Sequence, residues 1–106
     1  MSFIVLATIT PLPEHRDAVR SALEVAVAAT HAEDGCDLYA LHETREAFVL
    51  IEQWRDREAL QTHTKAPAFA ALTAALEGTL APPMVMQTLR PLSGASPHQG
   101  SLRPQP

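Results

Sequence analysis

Cysteine is nearly absent: the chain of 106 residues holds one, Cys36. It can form neither an internal disulfide nor a cysteine-cluster metal site, which fits a reducing compartment. No apolar run approaches the roughly 18–20 residues that span a bilayer, and the opening Met-Ser-Phe-Ile has no basic region of a secretory signal. The expectation is therefore a cytoplasmic protein with no membrane partner. Basic residues are few and unclustered, 8 Lys and Arg against 12 Asp and Glu for a formal charge of −4, which argues against a nucleic-acid or anionic-lipid surface. Glycine is scarce too, 4 in all. None lies in a phosphate-cradling loop and no GxSxG elbow exists, so nucleotide cofactors and serine-hydrolase chemistry have no foothold.

What is present fits one compact domain, with 46% apolar and 19% charged residues. Residues 2–91 carry the folding pattern. The stretch 92–106 is poor in large apolar side chains and has no acidic residue, so it is expected to form a disordered tail.

Phe3 to Thr10 is β-branched and stops at Pro11 and Pro13, which reads as a buried strand. From Pro13 to about Ala32, Val19, Ala22, Leu23, Ala26 and Ala29 recur at helical spacing, with Asp34-Gly35 as the stop. Cys36 to Glu43 and Ala47 to Trp54 read as a hairpin joined by Thr44-Arg45-Glu46. Asp56 can cap a short helix through about Thr64, and Pro67 opens another with Phe69, Leu72 and Leu76 on one stripe. Met84 to Arg90 forms a last strand. The order β-α-β-β-α-β predicts an α+β, ferredoxin-like split βαβ fold with a four-stranded antiparallel sheet and helices on one face.

Both phases of the strands are apolar, however: Phe3, Val5, Ala7 and Ile9 against Ile4 and Leu6, then Phe48, Leu50 and Trp54 against Val49 and Ile51. Helices cover one face. The other is an aggregation hazard unless a second copy covers it, so a symmetric homodimer packing sheet on sheet is expected.

Residues able to carry chemistry crowd between Trp54 and Phe69. His63 suits proton transfer near neutral pH, and Trp54 offers a flat wall for an aromatic substrate. Glu52 shares a strand phase with Phe48, Leu50 and Trp54, so its carboxyl is expected to be desolvated and raised in pKa. Each has a plainer alternative: His63 as a half-buried helix residue bonded to a carbonyl, Trp54 as core filling, Glu52 as a paired carboxylate. Tyr39 and His42 must face opposite sides of their strand. His15, His31 and His98 are assigned no chemistry. The histidines lie on separate elements with no local pairing, so a metal site has no support, and Cys36 reads as a small hydrophobe.

Asp34-Gly35-Cys36, Leu38-Tyr39, the strand Phe48 to Trp54, Asp56, Ala59-Leu60, His63 and Pro67-Ala68-Phe69 together resemble the antibiotic biosynthesis monooxygenase domain, including its quinol-monooxygenase-like members. The resemblance spans about residues 2–90. It implies a dimeric α/β barrel whose protomers each hold a pocket between sheet and helices. It also implies oxidation of a quinol or polyphenol by O₂ with no metal, flavin or other cofactor. On that footing Trp54 stacks on the substrate, His63 ahead of Glu52 takes the phenolic proton, and Tyr39 and Phe69 help to hold the ring. Branches of that superfamily that oxidise polyketides or degrade haem use an Asn together with the Trp; this chain has no Asn, so neither set is complete here. Two other expectations stay open, an isomerase of a small enolisable carbonyl compound that uses the same base without oxygen, and a non-catalytic dimer that binds a small hydrophobic ligand.

Overall fold

A computed structural model of the chain describes residues 2–92 and 94–103. Strand β1, Phe3–Ile9, leads through a one-turn 3₁₀ helix, Pro13–His15, into helix α1, Arg16–Thr30. The single helix expected from Pro13 onward is thus two pieces. His15 sits at φ −106°, ψ 5°, off the helical basin, so the turn begun by Pro13 is not continuous with α1. The hairpin comes next as β2, Cys36–Glu43, and β3, Phe48–Trp54. Its connection is held by Thr44, whose Oγ1 accepts from the N–H of Ala47 at 2.9 Å while its own N–H donates to the Ala47 carbonyl at 2.7 Å. This leaves Ala47 in the turn rather than in the strand.

Helices α2, Arg57–Thr64, and α3, Pro67–Leu76, precede β4, Val85–Leu89. Asp56 caps α2 as expected, its Oδ1 accepting from the N–H of Ala59 at 2.9 Å. Pro67 stands in the first turn of α3, where its missing N–H costs nothing.

The described residues form one four-stranded sheet in the order β2-β3-β1-β4, with every neighbouring pair antiparallel. Since β1 and β2 both run against β3, α1 is the crossover of one split βαβ unit; α2 and α3 serve the other, between β3 and β4. This is the ferredoxin-like α+β architecture. Register places Phe3, Val5, Ala7 and Ile9 opposite Trp54, Glu52, Leu50 and Phe48, so these eight side chains share one face. Ile9, Phe48 and Leu50 on that face pack with Val19, Leu23 and Ala26 of α1 and Leu72 and Leu76 of α3 to make the core.

An irregularity in β2 decides which of its side chains meet the helices. The register shifts between Cys36 and Leu38, so that Cys36 lies opposite Trp54 and Tyr39 opposite Glu52. Three residues apart, Cys36 and Tyr39 would otherwise face opposite sides; the bulge turns both toward the helices. His42 pairs with Val49 and faces the other way.

On that other face Leu6, Leu38, Val49 and Ile51 are half-buried, and Val85 and Leu89 of β4 are 51% and 40% exposed. Residues 104–106 of the expected disordered tail lie outside the described residues, as does residue 93. Within the rest, Pro97–Gly100 forms a single turn, α4. Beyond it the backbone N–H and carbonyl of Arg103 both pair at 3.0 Å with the side-chain amide of Gln53, which is 2% exposed.

Candidate active site

Four elements, β2, β3, α2 and α3, bring side chains together next to the turn that follows α1. Trp54 closes β3, and two residues earlier Glu52 projects from the same face; both are buried. The α2 cap and register bring His63 down from above, and its ring lies 4.5 Å from the Trp54 ring at an interplanar angle of 33°, close enough to stack. Tyr39 of β2 meets both edge-on, at 6.2 Å from Trp54 and 5.5 Å from His63. Phe69 of α3 approaches His63 edge-on at 5.3 Å. All five residues singled out in the sequence, His63, Glu52, Trp54, Tyr39 and Phe69, therefore belong to one cluster.

Polar contacts inside it are few and specific. Trp54 Nε1 donates to Glu52 Oε1 at 3.0 Å. His63 Nδ1 donates to Oε1 of Glu33, in the turn after α1, at 2.8 Å. His63 thus pairs with a carboxylate rather than with the carbonyl of the plainer reading, and the Glu52 carboxyl is paired, with the Trp54 indole. Glu33 is the member that sequence reasoning missed. One hint was available, since an acidic residue just past a helix C-terminus is disfavoured by the helix dipole and so needs another reason to be there.

Burial governs the electrostatics. Desolvation pushes the Glu52 carboxyl up to about 7, the Trp54 hydrogen bond pulling it back and the charge of Glu33 adding to the rise. The Cys36 thiol is pushed up to about 11, first by burial and then by Glu33 and Glu52, which makes it a poor nucleophile at neutral pH. Tyr39 is also driven upward by burial and by Glu52, so its hydroxyl keeps its proton. The cluster thus combines a carboxyl raised to about 7, that of Glu52, with the imidazole of His63, both packed against the Trp54 indole.

A cleft of about 690 Å³ opens alongside the cluster, and His63, Trp54, Glu52 and Phe69 are not among the residues that line it. Val27 of α1 and His31 just past its end form one wall, residues Cys36 to Leu41 of β2 the other, and Arg103 also borders the cleft. Cys36 and Tyr39 belong to cleft and cluster alike. His31, assigned no chemistry, plays a structural part, with its Nε2 donating to the Tyr39 carbonyl at 2.9 Å and so occupying a backbone acceptor of this strand. Among the described residues no group of three or more His, Cys, Asp or Glu is placed to hold a metal ion, and no helix is long and apolar enough to cross a membrane.

The model of the antibiotic biosynthesis monooxygenase family matches residues 2–75, from β1 into α3, and so includes every member of the cluster. The chain belongs to that family. Among antibiotic biosynthesis monooxygenase relatives, the Mycobacterium tuberculosis protein named "Putative monooxygenase Rv0793" is 36% identical over 94 residues, 87% of this chain and 93% of its own length. The solved structure of Rv0793 superposes with a TM-score of 0.85 at 35% identity, over 91% of this chain and 100% of that one. PA3566 of Pseudomonas aeruginosa gives 0.81 at 35% identity, over 87% and 95% of the two chains. A crystal structure described as an antibiotic biosynthesis monooxygenase gives 0.81 at 26% identity, over 86% and 99%. Family and relatives together support a monooxygenase-type role acting on a small molecule.

Proposed function

We propose that this protein oxidises a small quinol or polyphenol with O₂, the substrate itself supplying the electrons and no prosthetic group taking part. The observation that carries the reading is the stacked pair of Trp54 and His63 beside the Glu52 carboxyl, whose pKa of about 7 suits proton transfer at neutral pH. His63 removes a phenolic proton, with Glu52 as the second acceptor in the cluster. The resulting anion is electron-rich enough to reduce O₂, and Trp54, Tyr39 and Phe69 give its ring an apolar enclosure from which water is kept. For a hydroquinone the products are a hydroxyquinone and water. One ring C–H becomes C–OH, two hydroxyls become carbonyls, and the four electrons released reduce one oxygen atom into the product and the other to water.

Oxygen uptake with a menadiol or dihydroxynaphthalene substrate, corrected for enzyme-free autoxidation, tests this. The expected result is turnover that stops without O₂ and falls by about 100-fold or more in the His63→Ala, Trp54→Phe double variant, the scale of general base catalysis. Equal consumption by both proteins removes the reading. Glu52 also favours a second reading, isomerisation of an enolisable carbonyl compound, because a carboxyl titrating near neutrality beside an imidazole can shuttle a proton without oxygen. Deuterium exchange into such a substrate under argon separates the two.

The assembly proposed here is a homodimer. Leu6, Val49 and Ile51 present apolar area on the sheet face away from the helices, and a second copy would bury it. Sedimentation equilibrium at micromolar concentration is expected to give twice the chain mass, and Ile51→Glu to return it to that of one chain.

A further inference from the structure

Glu33 and His63 stand 30 residues apart in sequence, and several contacts bring them together. Arg55, just past β3, grips both carboxylate oxygens of Asp34 at 3.2 and 3.1 Å, and its N–H donates to the Gly35 carbonyl at 2.8 Å. Gly35 itself packs so near α2 that a Cβ there would stand 2.5 Å from that of Ala59. The turn after α1 is thereby clamped against the start of α2, and Glu33 is delivered to the helix that carries His63.

The carboxylate is a costly one. Its Oε1 accepts a hydrogen bond from His63 Nδ1, but its Oε2 is buried with no hydrogen-bond partner, and its charge helps to push up Glu52, Tyr39 and Cys36. An ion pair that served the fold alone would satisfy both oxygens or leave them to water. We propose that Glu33 is a positioning residue: by holding the proton on Nδ1, it fixes the ring's orientation and tautomer and confines proton exchange with the substrate to Nε2. This rests on His63 being the base of the proposed oxidation. In that step the phenolic O–H breaks and an Nε2–H bond forms. Glu33 keeps its charge facing the new imidazolium, and the proton later leaves from Nε2 to the reduced oxygen that departs as water.

The test reads the tautomer and the kinetics separately. Long-range ¹H–¹⁵N correlation spectra of protein labelled in its imidazole rings, recorded on the neutral ring, are expected to show His63 as the Nδ1–H tautomer in the wild type. Glu33→Ala is expected to switch it to the Nε2–H form and to lower kcat about 10–100-fold, the usual loss when a histidine's orienting partner is removed, with KM within about twofold. Glu33→Gln keeps an acceptor for Nδ1–H and is expected to retain the tautomer and recover most of the lost kcat. Should Glu33→Ala not fold, Glu33→Leu fills the same volume without an acceptor and carries the comparison. An Nε2–H ring in the wild type, or an Nδ1–H ring that survives loss of the carboxylate, overturns the proposal. If the tautomer switches as expected while the wild type oxidises no quinol, Glu33's hold on His63 is supported and only the reading of the reaction fails.

Discussion

The indole of Trp54 and the carboxyl of Glu52 are joined by a 3.0 Å hydrogen bond between side chains two residues apart on one face of β3. The bond favours the charged carboxylate and so works against the burial that drives the group up to about 7. Trp54→Phe keeps an aromatic ring in place and deletes the donor. The Glu52 carboxyl, followed by ¹³C chemical shift against pH, is expected to titrate at higher pH in this variant than in the wild type. An unchanged or lower midpoint contradicts the assignment.

The same carboxyl makes stability depend on pH, and the sign follows from the direction of its shift. Its ordinary value is 4.5 and its folded value about 7, so between these the native state holds a proton that the unfolded chain has released. Stability therefore falls as pH rises from about 4.5 through about 7. At about 1.4 kcal/mol per pKa unit, the loss is on the order of 3 kcal/mol. Asp34 is held low by Arg55, and Glu43 by Arg16 and Arg20; both act with the opposite sign, and only at lower pH. A comparison within one background removes them. Glu52→Gln can still accept from Trp54, and its stability relative to the wild type, from urea unfolding, is expected to improve between pH 5 and pH 8. A difference that stays constant over that range rules the shift out.

Much of this arrangement was legible in the sequence, because it follows from periodicity. Period-2 alternation in Phe3–Ile9 and Phe48–Trp54 put Glu52 and Trp54 on one face, and the helical stripes placed α1 and α3 over it. The same alternation could not say which face held the site, nor that the β2 bulge between Cys36 and Leu38 would turn Tyr39 toward it together with Cys36. Glu33 was hidden for a different reason. Its contact with His63 depends on how tightly a turn approaches a helix, a distance set by Gly35 and Ala59, and no residue spacing encodes that.

The cap on α2 is a modest but separable part of the site's support. Asp56 accepts from the Ala59 N–H, satisfying one of the four donors that a helix N-terminus leaves open. Its ion pair with Arg55, at 3.5 Å between half-exposed side chains, contributes little. Asp56→Ala is expected to cost about 1 kcal/mol, and Asp56→Asn, which keeps the capping oxygen, less than about half of that. Urea midpoints with unchanged m-values check both. Equal losses in the two variants would assign the effect to charge rather than to the cap.

Gly35 and Gly78 allow the cost of close packing to be separated from the cost of backbone conformation. Both have positive φ, 83° and 75°, a region where an L side chain is strained by about 1–2 kcal/mol. A Cβ on Gly78 would meet nothing within 4 Å, whereas one on Gly35 would collide with Ala59 at 2.5 Å. Gly78→Ala is therefore expected to cost only the conformational part, and Gly35→Ala that plus an overpacking cost of about 1–3 kcal/mol. At about 4–8 °C per kcal/mol for a domain of this size, the melting temperature of Gly35→Ala should fall by at least about 4 °C more than that of Gly78→Ala. Ala59→Gly removes the facing methyl. Although it costs about 1 kcal/mol on its own through helix propensity, in the Gly35→Ala background it should restore stability, a coupling that two independent losses would not show. Additive losses in that cycle would mean that the turn does not bear on α2, and the path by which Glu33 reaches His63 would have to be sought elsewhere.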